Sequence, residues 1–437
     1  MANEIKDQQE ILAKLGIAAL NPMQKEAIAV IEKTANTILL SPTGTGKTLA
    51  FLLPILKNLD IDNPEVQALI VVPTRELAIQ IEQVIRNMGS GYKVNAVYGG
   101  RAKSKDKIEL KHTPAILVGT PGRILDHFDD DRFSKASIGI LVLDEYDKSL
   151  EIGFEDEMSE IINELSGVSK RVLTSATQGV SIPNFVKLVD PKVLDYLSEK
   201  TDPKLAIEIV VSSEKDKLAS LLKLVHYLGN QHGIIFCNFR DSIEMVSDFL
   251  SENKISHTCF SGGMEQKDRE RALIKFRNGT SQILLATDLA SRGIDIPELK
   301  FIIHYELPHS AVEFTHRNGR TARVNEKGTA YVLKWKNQLL PEFIEKKEPI
   351  DIPKTSPSVQ QYWETLFISG GRKDKISKGD IAGLFIKQGN ISQDELGAIE
   401  LKQDCAFVAV PLKIANQLVN KLNNTKLKKK KVRIYIL

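Results

Sequence analysis

Short apolar runs rich in β-branched residues recur along the chain, and stretches with helical periodicity separate them. In the first part of the chain these runs occupy residues 37–40, 68–72, 115–118 and 138–143. Continuous apolar runs of this length are typical of strands buried on both faces, and their alternation with helices is typical of a parallel sheet with crossover helices. We therefore predict an α/β domain over residues 1–202.

The same pattern restarts after Asp202 and Pro203. Further apolar runs occupy residues 233–237, 282–286, 301–304 and 329–333, which predicts a second α/β domain over residues 203–340. Two sheets in tandem imply a cleft. Residues 337–358 are rich in Glu, Lys and Pro, and we interpret them as a helical end that leads into a linker at 341–358.

A different pattern fills residues 359–437. Strand-like segments at 365–369, 396–401, 406–410 and 432–437, with helix-like segments at 378–388 and 413–422, give the order βαββαβ. Ser377 and Asp380 have the spacing of a capping box at the start of the first of these helices. This order predicts a small third domain with the fold of an RNA-recognition motif (RRM).

Composition supports three folded domains and locates a basic surplus. A chain of 437 residues fits about three domains of roughly 150 residues each, and 42% apolar with 26% charged residues is ordinary for globular protein. The net charge is +3, but residues 358–437 hold 14 basic against 7 acidic residues. A concentrated surplus favours a polyanionic partner, although a solvated tail would explain it as well.

The cysteines and the apolar runs bear on the cellular compartment. Cys237, Cys259 and Cys405 are odd in number and widely spaced, a pattern that favours neither a disulfide framework nor a zinc site. The N-terminal residues lack the apolar stretch of a signal peptide, and no apolar run approaches membrane-spanning length. We therefore expect a cytoplasmic protein with no membrane partner.

A glycine-rich segment at residues 41–48 carries the first sign of chemistry. It follows an apolar strand and precedes a helical stretch, as a phosphate-binding loop requires. Its backbone N–H groups can turn onto phosphate oxygens, Lys47 can reach the β and γ phosphates, and Thr48 can ligate magnesium. The motif usually begins with glycine, whereas this chain has Ser41, so an ordinary glycine-rich turn stays open from this segment alone. The expected ATP ligands here are Ser41, Pro42, Thr43, Gly44, Thr45, Gly46, Lys47 and Thr48.

Acidic residues follow the fourth apolar run of the first domain. Asp144 and Glu145 come directly after a buried strand, at the edge of a parallel sheet where nucleotide sites form. Asp144 would hold Mg²⁺ and Glu145 would orient and deprotonate the attacking water, and both tasks need carboxylates. The alternative is an acidic turn between a strand and a helix.

An arginine-rich segment at residues 316–323 lies in the second domain. Arg317, Arg320 and Arg323 have the spacing to share one face of a helix. An arginine that reaches the γ phosphate from a second domain stabilises transition-state charge and makes hydrolysis depend on domain closure. A solvated basic helix face is the alternative for this segment alone.

These motifs, in this order on two successive sheets, resemble the DEAD-box family of superfamily 2 helicases. Further matches lie at residues 16–24, 73–78, 99–100, 120–123 and 175–177 in the first domain, and at 234–238, 266–269 and 286–295 in the second. The resemblance covers nearly the whole chain. It implies two tandem RecA-like parallel-sheet domains, followed by the RRM-like domain, in an RNA-stimulated ATPase that separates RNA strands locally.

The resemblance also implies a role for individual residues. Gln24 would read the adenine edge, Asp295 would lie near the ribose, Arg320 and Arg323 would act on the γ phosphate, and Ser175 and Thr177 would link hydrolysis to RNA. The RNA strand would be gripped through its phosphates and 2′-hydroxyls, without sequence preference. The residues in these RNA-contacting motifs are Arg75, Gly100, Thr120, Arg123, Gln266, Arg269 and Thr287.

Some positions depart from the family pattern. Tyr146 stands where the name-giving motif has alanine, Ala322 replaces a usual glycine, and Ser261 replaces a frequent histidine. Asp7 stands where an upstream aromatic residue would normally cover the adenine. None of these positions supplies a phosphate, magnesium or water-activating group.

The third domain resembles the C-terminal domain of DbpA-type bacterial helicases, through residues 370–374, 379–381 and 424–426. That resemblance implies structured RNA as the partner, specifically a large-subunit ribosomal RNA hairpin in pre-ribosomal particles. Cys405 and Val410 stand where stacking rings are expected, so we expect an incomplete aromatic platform on this sheet, with Phe407 as a possible core residue. Residues 428–431, four lysines, would contact phosphates or form a charged loop before the last strand.

Two other functions use the same motifs. An ATP-gated RNA clamp would remodel ribonucleoprotein without separating strands, and a DNA-translocating helicase would respond to DNA as strongly as to RNA. We expect a monomeric RNA helicase that uses ATP and Mg²⁺.

Overall fold

The computed structural model describes residues 7–177, 182–197, 205–288, 299–321, 327–353 and 361–437. The chain divides into two compact units, the first formed by the described residues up to 197 and the second by those from 205 onward. Within the described residues, no helix is long and apolar enough to cross a membrane.

The first unit is a parallel sheet in the order β3-β4-β2-β5-β6-β1-β7. Its strands are β1 Asn36–Leu40, β2 Ala68–Val71, β3 Val94–Val97, β4 Ile116–Gly119, β5 Ile140–Leu143, β6 Lys170–Ser175 and β7 Lys192–Asp195. Its helices are α1 Gln8–Leu15, α2 Pro22–Lys33, α3 Lys47–Lys57, α4 Arg75–Met88, α5 Lys103–Glu109, α6 Pro121–Asp129, α7 Tyr146–Ile152 and α8 Glu155–Glu164, with 3₁₀ turns at Lys135–Ser137 and Asn184–Val186.

Two apolar layers cover the faces of this sheet. Along β2, Ile70 packs into one layer, whereas Leu69 and Val71 pack into the other. Successive side chains of a strand point to opposite faces, so a strand buried on both sides must be apolar at every position. This explains the continuous apolar runs seen in the sequence.

The second unit contains a parallel sheet in the order β10-β11-β9-β12-β13-β8. Its strands are β8 Leu205–Ser212, β9 Gly233–Phe236, β10 His257–Phe260, β11 Ile283–Ala286, β12 Phe301–His304 and β13 Gly328–Trp335. Its helices are α9 Leu218–Leu228, α10 Arg240–Glu252, α11 Gln266–Arg277 and α12 Ala311–Asn318.

The segment after β13 differs from its sequence-based interpretation. We expected a helical end from residue 337, but residues 337–353 form turns and extended chain, and that expectation is wrong. Pro341, Pro349 and Pro353 interrupt any helix there. The side chain of Ile344 is buried against the second sheet, and Ile350 N donates to the carbonyl oxygen of Ile209 at 2.9 Å.

The second unit also contains the small C-terminal fold. Its antiparallel sheet has the order β15-β16-β14-β19, from β14 Trp363–Ile368, β15 Ile399–Leu401, β16 Ala406–Pro411 and β19 Ile434–Ile436. Its helices are α13 Lys378–Gly383, which continues as a π-helix at Leu384–Gly389, and α14 Leu412–Leu422, with a 3₁₀ turn at Arg372–Asp374. The predicted capping box is present, because Asp380 N donates to Ser377 Oγ and Ser377 N donates to Asp380 Oδ2.

The lysine tract lies on a short hairpin before the last strand. Its strands are β17 Lys426–Leu427 and β18 Lys430–Lys431. Lys428 Nζ lies 2.8 Å from Asp380 Oδ2, and Lys430 Nζ lies 2.8 Å from Asp374 Oδ2. Two of the four lysines therefore hold the hairpin against the domain, while Lys429 and Lys431 are exposed.

Candidate nucleotide and RNA sites

The phosphate-loop segment joins β1 to α3, and hydrogen bonds from its own side chains fix its conformation. Thr45 Oγ1 donates to the Pro42 carbonyl at 2.9 Å, and the buried Ser41 Oγ lies 2.8 Å from Thr45 Oγ1. Ser41 N also donates to the carbonyl of Ser175, at the end of β6, at 3.0 Å. Ser41, at the first position of the motif, thus has a structural role, because its hydroxyl forms a hydrogen bond that stabilises the loop.

Two residues at the start of α2 support the loop from outside. Asn21 Nδ2 donates to the Thr45 carbonyl at 3.0 Å, and Gln24 Nε2 donates to the Gly46 carbonyl at 3.2 Å. Gly46 has a φ of +86°, and a Cβ there would lie 2.4 Å from Gln24 Nε2. Glycine is required at this position for its backbone conformation and for the close approach of Gln24.

Lys47 begins α3 and points back into the loop. Its Nζ donates to the carbonyl oxygens of Ser41 and Pro42. The residue is partly accessible, but protein atoms surround the ammonium and their desolvating effect lowers its pKa, while the carboxylates of Glu145 and Asp144 oppose the shift. The loop therefore holds a cation at the start of a helix, where anions bind.

Asp144 and Glu145 follow β5 at the same sheet edge. Thr174, on the neighbouring β6, donates its hydroxyl hydrogen to Asp144 Oδ1 and accepts from Glu145 N at 3.1 Å. Burial and then the charge of Glu145 raise the pKa of Asp144 to about 6, although Thr174 and Lys47 oppose this. Glu145 has a φ of +50°, and its carboxylate lies 3.2 Å from the buried Lys148 Nζ. A strained backbone held by several partners is common at functional sites.

A chain of hydrogen bonds joins this acidic turn to the end of β6. Thr177 Oγ1 donates to Asp147 Oδ2 at 2.8 Å, and Thr177 N donates to Ser175 Oγ at 3.0 Å. Ser175 is in turn bonded through its carbonyl to the phosphate loop. Hydrogen bonds therefore connect the phosphate loop, the acidic turn and residues 175–177.

Arg75 and Gly100 meet at the carboxyl edge of the first sheet. Arg75 begins α4 after β2, and Gly100 follows β3 with a φ of +83°. A Cβ on Gly100 would lie 2.3 Å from Arg75 Nη1. The guanidinium thus lies against the backbone of the glycine pair, which accounts for glycine at this position.

Thr120 and Arg123 lie at the beginning of α6. Thr120 is the residue before the helix, and Arg123 is almost fully buried. Arg123 Nη1 donates to the buried Asp106 Oδ2 at 2.9 Å, and Nη2 donates to the Arg101 carbonyl at 2.8 Å. The structure therefore engages Arg123 internally and leaves Arg101 as the more exposed arginine of this cluster.

The second sheet has its own group of expected site residues. Gln266 begins α11, Arg269 lies one turn later with its guanidinium 4.7 Å from the Phe260 ring centroid, and Thr287 directly follows β11. Arg269 is buried, and Gln266 and Thr287 are half-buried.

The arginine-rich segment departs from its sequence-based interpretation. Helix α12 ends at Asn318, and Arg320 and Thr321 form a turn through hydrogen bonds to Arg317 and Asn318. The expectation that the arginines share one helical face is therefore wrong for Arg320, because Gly319 ends the helix before it. Arg323, like Asp295, lies outside the described residues.

Comparison with known proteins agrees with this arrangement. Residues 21–184 match the DEAD/DEAH box helicase model, residues 216–325 the helicase conserved C-terminal domain, and residues 365–436 the DbpA RNA binding domain. The ATP-dependent RNA helicase DbpA of Escherichia coli is 30% identical to this chain over 439 residues, which cover 98% of this chain and 96% of that protein. The chain belongs to the DbpA-type DEAD-box RNA helicases.

Other relatives agree. DbpA of Bacillus subtilis is 29% identical over 97% of this chain and 96% of its own length. Yeast Dbp5 bound to RNA and ADP BeF3 is similar in structure, with a TM-score of 0.69, 26% identity, and coverage of 76% of this chain and 88% of that chain. Mss116p bound to single-stranded RNA and AMP-PNP has a TM-score of 0.68 at 25% identity, over 76% and 73% of the two chains. The predicted fold, RNA helicase activity and use of ATP are thus confirmed.

The structure explains two departures from the DEAD-box pattern. Tyr146 is only 4% exposed and belongs to the apolar layer that contains Ile161 and Leu173. Asp7 caps α1, because Glu10 N donates to Asp7 Oδ1 at 2.8 Å. The ring of Tyr146 therefore belongs to the hydrophobic core, and Asp7 is the N-terminal cap of α1.

Sequence reasoning missed several residues that support the helicase motifs. Arg317 is fully buried, and its Nη2 forms an ion pair with Asp288. The same Nη2 donates to Asn238 Oδ1, and Nη1 donates to the Glu306 carbonyl, each at 2.7 Å. Thr174 likewise positions Asp144 through a hydrogen bond, and Asp106 positions Arg123 through an ion pair. Arg317 and Asp288 lie inside the recognised motifs, so their supporting role could have been predicted from their position in the sequence. The residues around Thr174 and Asp106 contain no pattern that would have predicted theirs.

Proposed function

We propose that this helicase uses Mg²⁺-ATP to unwind structured RNA locally, with large-subunit ribosomal RNA in pre-ribosomal particles as its substrate. It would act as a monomer in the cytoplasm. The observation that carries the proposal is the presence, in one chain, of a helicase core and a C-terminal domain that matches the RNA-binding domain of DbpA over residues 365–436.

The residue roles in this proposal follow from the first sheet edge. Asp144 and Thr48 offer carboxylate and hydroxyl oxygens, the ligand type that Mg²⁺ prefers, and a bound cation would favour the charged form of Asp144, which burial now disfavours. Lys47 would neutralise the phosphates, Glu145 would accept a proton from the attacking water, and Arg320 and Arg323 would stabilise the charge that develops on the γ phosphate. Asp295 would hold the ribose and Gln24 the adenine.

The RNA residues of the core would position the strand through phosphate and sugar contacts. Arg75, Gly100 and Thr120 would act from the first sheet, and Gln266, Arg269 and Thr287 from the second. Because the guanidinium of Arg123 already binds Asp106 and the Arg101 carbonyl, we propose that Arg123 acts by shaping the loop that carries these contacts.

In the third domain, the lysine hairpin would contact the phosphates of the bound RNA. Lys429 and Lys431 are exposed there, whereas Lys428 and Lys430 form ion pairs with Asp380 and Asp374. We therefore assign phosphate contacts to Lys429 and Lys431, and a supporting role to Lys428 and Lys430.

The test compares crosslinking maps of RNA bound to the wild type and to the Lys429→Ala, Lys431→Ala double variant. The third domain contacts helix α11 and the loop after it in the second α/β domain, so substitution tests its role more cleanly than deletion. Wild-type contacts should cluster in large-subunit ribosomal RNA, and the double variant should scatter them while basal ATP hydrolysis survives. Clustering elsewhere would contradict the substrate proposal.

Strand displacement on a short duplex separates unwinding from clamping. The wild type should displace the strand with ATP, and Lys47→Ala and Glu145→Ala should abolish turnover. RNA release that depends on ATP without any displacement would favour the clamp.

A further inference from the structure

The outer face of the C-terminal sheet carries an aromatic group that none of the roles above uses. Along β14, Leu366 and Ile368 point into the domain core, so Thr365 and Phe367 point to the opposite face. Phe407 on β16 and Tyr435 on β19 lie directly opposite Phe367 in the sheet register. Three rings therefore form a row across three strands.

One side of this face contacts the end of helix α11 and the loop that follows it in the second α/β domain. Thr365 Oγ1 lies 2.7 Å from Thr280 Oγ1 and 3.2 Å from Asn278 Nδ2. Arg277, at the end of α11, donates to both carboxylate oxygens of Glu400 on β15, at 2.6 and 3.0 Å. Phe407, which lies opposite Glu400 in the sheet register, is buried, with 4% of its surface exposed.

The other side of the row is open. The Phe367 and Tyr435 rings are stacked, with centroids 4.7 Å apart and an angle of 28° between their planes. Phe407 meets Phe367 edge-on, at 5.6 Å and 72°. Tyr435 is 41% exposed and Phe367 is half-buried. The stack thus presents an aromatic surface to solvent at the edge of the covered area.

A basic side chain lies on the same face. Arg433 precedes Tyr435 by two residues, and its neighbours Val432 and Ile434 are buried in the domain core, so Arg433 points to the side of Tyr435, and it is exposed. Its N–H donates to Ser369 Oγ at 2.7 Å, and its carbonyl accepts from Ser369 N at 2.9 Å, which fixes the backbone beside β14. Arginine can contact a phosphate or stack on a base.

We propose that Phe367 and Tyr435, with Arg433 beside them, form a stacking site for one unpaired RNA base. Exposed rings on an RNA-binding sheet bind bases through their π faces, largely without sequence preference. The platform lies toward β19, because Phe407 is buried whereas Tyr435 is exposed. Our expectation of an incomplete platform rested on Cys405 and Val410, and the proposed stack uses Tyr435 on a different strand, which that expectation did not consider.

The site differs from the lysine hairpin in its chemistry. Stacking needs a single-stranded base, whereas lysines need only phosphates and respond strongly to salt. The proposal does not depend on ribosomal RNA as the substrate. It predicts that RNA with an unpaired nucleotide gains affinity that a fully paired duplex does not.

The test uses the full-length protein without nucleotide, and two RNA probes. One is a single-stranded hexamer of uridines with one 2-aminopurine, whose fluorescence is quenched by stacking, and the other is a blunt duplex with a dye. Tyr435→Ala should weaken hexamer binding about 5- to 100-fold and remove quenching, because one stacked base contributes that much. Duplex binding should not change.

Matched variants separate stacking from other effects. Tyr435→Phe keeps the ring and should bind like the wild type, whereas Tyr435→Leu keeps apolar volume and should behave like Tyr435→Ala. Lys429→Ala should weaken both probes and lower the salt dependence by about one ion, but Tyr435→Ala should leave that dependence unchanged. Unfolding curves of the RNA-free variants control for folding.

Three outcomes would overturn the proposal. They are wild-type binding by Tyr435→Leu, equal loss of hexamer and duplex binding by Tyr435→Ala, and absence of Tyr435-dependent quenching in the wild type. Each would leave the helicase assignment and the lysine hairpin untouched, since neither uses this ring.

Discussion

His304 is a buried residue that contributes to the acid sensitivity of the second unit. It ends β12, is fully buried near Phe236 and Phe314, and its Nε2 lies 3.1 Å from Asn318 Oδ1. Burial, and then the positive charge of Arg317, lower the pKa of His304 to about 3. Folded His304 therefore stays neutral at pH values where an unfolded histidine is charged.

We expect stability of the second unit to fall as pH drops below about 6.5. Between that value and about 3, the unfolded chain binds a proton that the folded chain excludes, so each pH unit costs roughly 1.4 kcal/mol. His304→Gln should flatten this dependence, measured by urea unfolding at pH 5 and pH 7.5. Exposed His309→Gln is the matched control and should keep the wild-type loss; equal slopes for wild type and His304→Gln would refute the assignment.

Gly100 offers a second test at the level of one residue. Gly100→Ala places a Cβ at a φ of +83°, 2.3 Å from Arg75 Nη1, so the guanidinium must move. We expect RNA affinity to fall about 10-fold, the size of effect of one lost charged hydrogen bond, with ATP affinity unchanged. Filter binding and nucleotide titration measure the two. Gly139→Ala, where a Cβ meets nothing within 4 Å, is the control.

At the scale of helices and strands, the contact of α11 with β15 holds the C-terminal domain to the second α/β domain. Burial opposes ionisation of Glu400, but Arg277 and Lys402 outweigh it and lower its pKa. Arg277 and Glu400 are 26% and 22% exposed, so their bidentate pair is only partly screened by solvent. Trp363 packs beside Gly279 in the same contact.

A double-mutant cycle with Arg277→Gln and Glu400→Gln should give a coupling free energy of about 1 kcal/mol. Unfolding followed by tryptophan fluorescence measures it. The pair Arg240 and Glu244, with 65% and 60% exposure, is the matched control and should give about 0.3 kcal/mol. Coupling no larger than in the control would mean that the pair does not hold the domain.

The strands that could be predicted were those with continuous apolar runs, such as β2, β5, β9 and β12. Strands β3, β6, β7, β8 and β10 were not among the predicted runs. In β7 and β10 the segments KVLD and HTCF mix polar and apolar residues, and both strands lie at an edge of their sheet. The phosphate loop and the acidic turn were predictable because their chemistry is local in sequence. The supports from Thr174 and Asp106 were not, because they depend on which strands and helices become neighbours.

At the scale of the whole molecule, different measurements can follow the two units. Apart from Arg320, which would act on the γ phosphate, the expected nucleotide ligands that the structure describes lie in the first unit, whereas both tryptophans, Trp335 and Trp363, lie in the second. Tryptophan fluorescence therefore follows the second unit alone.

We expect ADP without RNA to stabilise only the first unit. At 100 times its Kd, ADP should add about 2.7 kcal/mol to the unfolding free energy seen by circular dichroism, and leave the tryptophan transition in place. Lys47→Ala should abolish the shift. A nucleotide-induced shift of equal size in both signals would show that the units unfold together.

The burial of Tyr146 has a consequence for engineering. Replacing it with alanine would restore the name-giving tetrapeptide of the family, yet it would empty the space that the ring fills against Ile161 and Leu173. We expect Tyr146→Ala to lower the unfolding free energy of the first unit by about 3 kcal/mol, measured by circular dichroism in urea. In this protein a consensus substitution would thus be a damaging one, and ancestral or consensus design of related chains must exchange the ring together with the residues that surround it.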